Sequence, residues 1–213
     1  MVIGTGTIGE PLIGLLAEHK DALGLDKVVF FKRTPLTDEK GKVEALLRKG
    51  AMIVSTSDVL SDFKQLGFSD IEDVENAYND VDVIIDCTPS GNNNWENIYS
   101  SLDQSKRFMV QGSEHGFGPF FAWGINNDVL ENESNRYLIA SCNTHNIASI
   151  VKTFALDQGR ELVEGQFVCL RRANDVSQND SFSPSPTITK HSNQEFGTHH
   201  ARDVHELFAQ EGK

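Results

Sequence analysis

The chain has 213 residues, of which 38% are hydrophobic and 23% charged, with a net charge of −12. That size and balance suit a globular chain of one large domain, or of one domain and part of another. The acidic charge excludes nucleic acid and anionic membranes as main partners, since neither offers a complementary field, and no apolar run is long enough to span a bilayer. Three widely spaced cysteines make neither a disulfide framework nor a zinc site, and point to a reducing, cytoplasmic setting.

Met1-Val2-Ile3 reads as the end of a strand running into Gly4-Thr5-Gly6-Thr7-Ile8-Gly9. This G-x-G-x-x-G stands between an apolar strand and a helical pattern of Leu12, Ile13, Leu15 and Leu16, where it suits a dinucleotide pyrophosphate. A turn without a ligand is the alternative. Three residues are few for a first strand, which predicts further residues before Met1.

A second strand, Lys27 to Phe31, ends where an NAD-selective site places an acid for the ribose 2′-hydroxyl. Lys32-Arg33-Thr34 stands there instead. Two cations and a hydroxyl suit a 2′-phosphate, so NADP is favoured or accepted beside NAD. A solvated basic turn is the other reading. A helix (42–49), a strand (51–55) and an acidic region with helical stretches up to Asn79 follow. The near-continuous apolar run 81–87 predicts a buried parallel strand, with Cys87 packed in the core. It ends in Thr88-Pro89-Ser90-Gly91, at the edge where doubly wound sheets meet their cofactor.

Residues 107–110 form a further strand ending in Gln111-Gly112-Ser113, and 137–140 another. Strands alternating with helices predict an α/β, Rossmann-type doubly wound parallel sheet over residues 1–140. Ser141-Cys142-Asn143-Thr144-His145-Asn146 lies between the last strand and an apolar-faced helix predicted over 147–156. A cysteine at such a corner gains thiolate character from the helix dipole and free amides, and those amides suit an oxyanion. A buried, inert thiol is the alternative.

Beyond residue 155 a strand is predicted over 166–170, leading to Arg171-Arg172-Ala173. Paired arginines bind phosphate or carboxylate, or form a solvated strand end. The run from Asn174 to Phe196 is too long for an idle connection. His199-His200 fit as hydrogen-bond donors to a substrate, or in part as structural histidines; no metal site is expected.

Together these pieces carry a resemblance. Gly6-Thr7-Ile8-Gly9, Asp86 with Thr88-Pro89, Glu96-Asn97-Ile98-Tyr99, Gln111-Gly112, Ser141-Cys142-Asn143-Thr144, Arg171-Arg172-Ala173 and the 199–204 run resemble, in order and spacing, the archaeal-type phosphorylating glyceraldehyde-3-phosphate dehydrogenases. The resemblance implies that residues 141–213 begin an α+β catalytic domain and that Cys142 is the nucleophile. Ser141, Asn143, His200 and Ala201 would contact substrate. Thr7 and Ile8 would lie on the pyrophosphate of NADP or NAD, Gly112 or Ser113 would touch the nicotinamide side, and Arg172 would approach the cofactor.

It further implies a phosphorylated aldehyde and inorganic phosphate as small-molecule partners, a homotetramer, and a place in glycolysis or gluconeogenesis. Two departures stand out: Ser113 replaces a common glycine, and residues 145–149 replace a stretch that usually carries an arginine. The family's histidine base and final helix would follow Lys213, so the resemblance presents the chain as a fragment of the enzyme, one expected to bind cofactor weakly and turn over little. Another cysteine-dependent semialdehyde dehydrogenase, or an NADP-binding module without catalysis, are the alternatives.

Overall fold

The structure, a computed structural model, describes residues 1–89, 91–111, 116–159, 161–168 and 195–209. Contacts divide the chain into two compact units, Met1–Val110 and Gln111–Lys213. The strand predicted at 137–140 thus belongs to the second unit by its packing.

The first unit alternates strand and helix. In order they are β1 (Val2–Ile3), α1 (Gly9–Glu18), β2 (Val29–Phe31), α2 (Lys40–Arg48), β3 (Met52–Ser55), α3 (Leu60–Gln65), β4 (Glu72–Asp73), α4 (Val74–Asp80), β5 (Val83–Asp86), α5 (Asn94–Asn97) and β6 (Arg107–Gln111). The strands stand in the order β4-β3-β2-β1-β5-β6, and every pair is parallel. Parallel neighbours require crossovers, and the helices supply them. The fold is α/β and Rossmann-type, with the order reversing beside β1, where such sheets open a crevice at their carboxyl edge.

The apolar runs become these strands because helices cover both faces of a parallel sheet. Val2, Phe30 and Ile53 from β1–β3 pack with Ile13 and Ala17 of α1, Val43 and Leu46 of α2, and Phe63 of α3. The strands are shorter than their apolar runs. β5 covers 83–86 of the predicted 81–87, because Val81 follows the last turn of α4 and its carbonyl accepts from buried Lys106 Nζ at 2.7 Å.

In the second unit, β7 (Phe120–Phe121) and β8 (Arg136–Ile139) pair in parallel, Phe120 beside Leu138. Buried Asn126 secures the turn after β7: its Oδ1 accepts from Ala122 N at 2.9 Å and its Nδ2 donates to Phe120 O at 2.8 Å. Then follow α6 (Cys142–Phe154) and α7 (His199–Ala209), which pack on each other.

Two expectations are corrected here. The helix after β8 starts at Cys142, five residues before the predicted Ile147, because Ser141 caps it and its polar first turn conceals the helical period. Residues 166–168, predicted as strand, carry no regular structure, and 169–170 lie outside the described residues. The run 174–194 also lies outside them. Among the described residues no helix is long and apolar enough to cross a membrane.

Candidate active site

Two groups of predicted residues assemble, one in each unit. In the first unit, a cleft of about 380 Å³ lies at the carboxyl ends of the strands. Gly4 and Thr5 follow β1 there, Lys32, Arg33 and Thr34 follow β2, Thr56 follows β3, and Thr88 and Pro89 follow β5. The carboxyl edges of four parallel strands thus meet at the order reversal.

The glycines of the motif divide three tasks. Gly4 has φ +92, which side-chain-bearing residues rarely adopt, and turns the chain out of β1. A Cβ on Gly9 would stand 1.9 Å from Gly4 O, so only glycine lets α1 approach β1 this closely. A Cβ on Gly6 would meet nothing within 4 Å. Open space at this position, before a helix N-terminus without a side-chain cap, fits the close approach of a pyrophosphate. Thr7 and Ile8 complete the turn, Ile8 exposed.

The two cations after β2 are placed differently. Arg33 is exposed, whereas Lys32 is buried and its Nζ is hydrogen-bonded to Glu39 Oε2. Burial works against the charge on Glu39, yet Lys32 and Lys42 hold its carboxyl below the ordinary range. Thr34 is exposed beside Arg33.

Asp86 organises the loop along the cleft. Its buried carboxylate accepts from Thr88 N at 2.8 Å, Thr88 Oγ1 at 2.6 Å, Asn94 Nδ2 at 2.7 Å and Tyr99 OH at 2.8 Å. Four donors satisfy a charge that burial would otherwise penalise. Burial, then the Asp86 charge, pushes the Tyr99 phenol well above its usual range, so it stays a donor. Cys87 is core, as predicted, and its thiol is pushed up to about 11 by burial and by Asp86.

In the second unit, Cys142 is exposed and is the first residue of α6. Its Sγ lies 4.0 Å from Asn143 Oδ1. Ser141 caps the helix, its Oγ accepting from Thr144 N at 3.3 Å. The first amides of a helix have no carbonyl of that helix to bond. The N–H of Thr144 goes to Ser141 Oγ and that of His145 to Ser141 O, which among the described residues leaves those of Cys142 and Asn143 at the helix start.

His200, in the first turn of α7, lies against this corner. Asn143 Nδ2 donates to His200 Nε2 at 3.2 Å. A neutral ring then carries its proton on Nδ1, which faces Ser141 Oγ at 3.4 Å and Thr144 Oγ1 at 3.5 Å. Thr198 Oγ1 accepts from the N–H of exposed Ala201 at 3.2 Å, and so helps to start α7. Four of the predicted substrate residues, Ser141, Cys142, Asn143 and His200, therefore share one polar cluster. The rings of His199 and His200 are 3.8 Å apart. His145, in the departing stretch, contacts Trp123 O through Nε2 at 2.9 Å.

Ser141→Ala removes the cap and one His200 contact, and a loss of about 1 kcal/mol is expected, read as a lowered thermal midpoint.

Gly112, Ser113, Arg171 and Arg172 lie outside the described residues. Sequence reasoning missed Thr144, fully buried between Ser141 and His200, although its place three residues after a capping serine is a signal. It also missed α7, whose Val204, Leu207 and Phe208 stand at helical spacing. Glu39, seven residues beyond Lys32, has no sequence signal.

Among curated proteins, the chain is 27% identical over 211 residues to the glyceraldehyde-3-phosphate dehydrogenase of Pyrobaculum calidifontis, covering 95% of this chain and 56% of that protein. It is 28% identical over 205 residues to that of Sulfolobus acidocaldarius (94% and 55%) and 27% over 208 residues to that of Picrophilus torridus (94% and 55%). No family model matches the chain. It spans little more than half the length of these relatives. The similarity runs through both the glycine cleft and the Cys142 corner: over some 95% of its length this chain is similar to archaeal glyceraldehyde-3-phosphate dehydrogenases.

Proposed function

We propose that the chain carries the dinucleotide-binding part (residues 1–140) and the start of the catalytic part (141–213) of a phosphorylating glyceraldehyde-3-phosphate dehydrogenase. The observation that carries this reading is the Cys142 corner: an exposed thiol in the first turn of a capped helix, with Asn143 and His200 bonded to each other beside it. The glycine cleft, and the relatives that bear the enzyme's name, support it.

In this reading Gly4, Gly6, Thr7, Ile8 and Gly9 hold the pyrophosphate of NADP or NAD at the start of α1. Lys32, Arg33 and Thr34 face the adenosine ribose, and Gly112, Ser113 and Arg172 complete the cofactor site. When bound, the nicotinamide supplies a hydride acceptor for aldehyde oxidation.

The residues of the second unit prepare the aldehyde. The Cys142 thiolate attacks the aldehyde carbon; a C–S bond forms, and the carbonyl π electrons move onto oxygen. The amides at the start of α6 and the Asn143 side chain hold that oxygen as its charge develops. Ser141, His200 and Ala201 orient the phosphorylated substrate. After oxidation, an oxygen of inorganic phosphate attacks the acyl carbon, the C–S bond breaks, and the Cys142 thiolate is regenerated as 1,3-bisphosphoglycerate leaves. The assembly we propose is a homotetramer serving glycolysis or gluconeogenesis.

The test is substrate protection. Glyceraldehyde 3-phosphate should shield Cys142 from alkylation, and unphosphorylated glyceraldehyde at the same concentration should not. Dinucleotide reduction that requires inorganic phosphate, and that falls by at least about 10³-fold in Cys142→Ser, is the second expected result. Reduction independent of phosphate would point to a non-phosphorylating aldehyde dehydrogenase.

A further inference from the structure

The cation that follows β2 is fixed at both its backbone and its side chain. Lys32 N donates to Val54 O at 3.1 Å, and Ser55 Oγ donates to Lys32 O at 2.7 Å. The Lys32 side chain is 6% exposed and ends on Glu39. Glu39 Oε1 lies 3.5 Å from Lys42 Nζ, which lies 3.3 Å from Glu10 Oε2 in the first turn of α1. Two positive and two negative charges alternate along this chain, so Lys32 brings little net charge to the cleft. Arg33, the next residue, lines the same cleft and is exposed. The acid among the described lining residues is Glu75, on α4.

We infer that Glu39 determines the dinucleotide preference of this cleft: by holding Lys32 it leaves recognition of a 2′-phosphate to Arg33. The inference rests on the dinucleotide reading of the cleft and adds a specificity-determining residue outside its walls. A buried ammonium already paired with a carboxylate gains little from a second anion. The same ammonium beside a neutral side chain lacks a counter-charge, and a 2′-phosphate supplies one. A ribose 2′-hydroxyl does not, so NAD has no comparable gain.

Calorimetric titration of the chain with NADP and with NAD tests this, beside Glu39→Gln, Lys32→Gln, Arg33→Gln and the Glu39→Gln/Lys32→Gln double variant. Arg33→Gln should weaken NADP binding about tenfold or more, and Lys32→Gln by less than about threefold. Glu39→Gln should shift the ratio of the two dissociation constants toward NADP by about tenfold, and the double variant should lose that shift. An unchanged ratio in a folded Glu39→Gln protein overturns the inference. So does a loss in Lys32→Gln as large as that in Arg33→Gln, and this comparison decides the matter if Glu39→Gln fails to fold. In either case the dinucleotide reading stands; if the unsubstituted chain binds neither dinucleotide, that reading falls and the inference with it.

Discussion

Iodoacetamide should modify Cys142 on the order of 100 times faster than Cys87 near neutral pH. The Cys87 thiol is buried, and its ionisation is pushed up to about 11 by desolvation and by the carboxylate of Asp86. At pH 7 such a thiol is ionised to roughly one part in 10⁴, and the thiolate is the species that reacts. Its position adds a second barrier, because the residue is buried in the core of the first unit. Cys142 is exposed, in the first turn of α6, so reagent reaches it without any opening of the chain.

Peptide mapping after brief labelling separates the three cysteines. Faster labelling of Cys87 or Cys169 would remove Cys142 as the nucleophile. Raising the pH should narrow the gap, since Cys87 gains thiolate as the pH approaches 11. Its burial should still keep it the slower of the two.

What the sequence made legible follows the range of the forces involved. The glycine motif and the apolar strands are local signals, and the structure uses them as read: β1 turns at Gly4 and the strands are parallel. Contacts that join distant residues were illegible. His200 lies 57 residues from Asn143 in the chain, and nothing in either motif announces that Nε2 of one meets Nδ2 of the other. The same holds for Lys32. As a sequence it reads as a cation ready for a phosphate, because the anion that engages it comes from a short helical turn with no motif of its own. The missed start of α6 has a different cause: Cys142, Asn143, Thr144, His145 and Asn146 are polar, and a capped first turn of polar residues hides the period on which helix recognition depends.

The glycine motif gives the other large effect, because two of its glycines should fail in opposite ways. In Gly9→Ala the new methyl would stand 1.9 Å from Gly4 O and 2.9 Å from Gly4 C. Both are backbone atoms, so no side-chain rotation relieves the clash, and α1 must move off β1. Since α1 places Ile13 and Ala17 in the core, the expected cost is at least about 3 kcal/mol, seen as a large fall in the thermal midpoint. In Gly6→Ala the methyl meets no protein atom within 4 Å, and φ there lies outside the left-handed region. Stability should change by less than about 1 kcal/mol, with a gain as possible as a loss, because alanine restricts the unfolded chain. Yet that methyl enters the space the pyrophosphate needs, and dinucleotide affinity should drop about tenfold or more. A thermal melt and a calorimetric titration of each variant separate the two effects. Undiminished dinucleotide binding in Gly6→Ala would mean that the turn serves packing alone, and an unchanged melt in Gly9→Ala would contradict the close approach of α1 to β1.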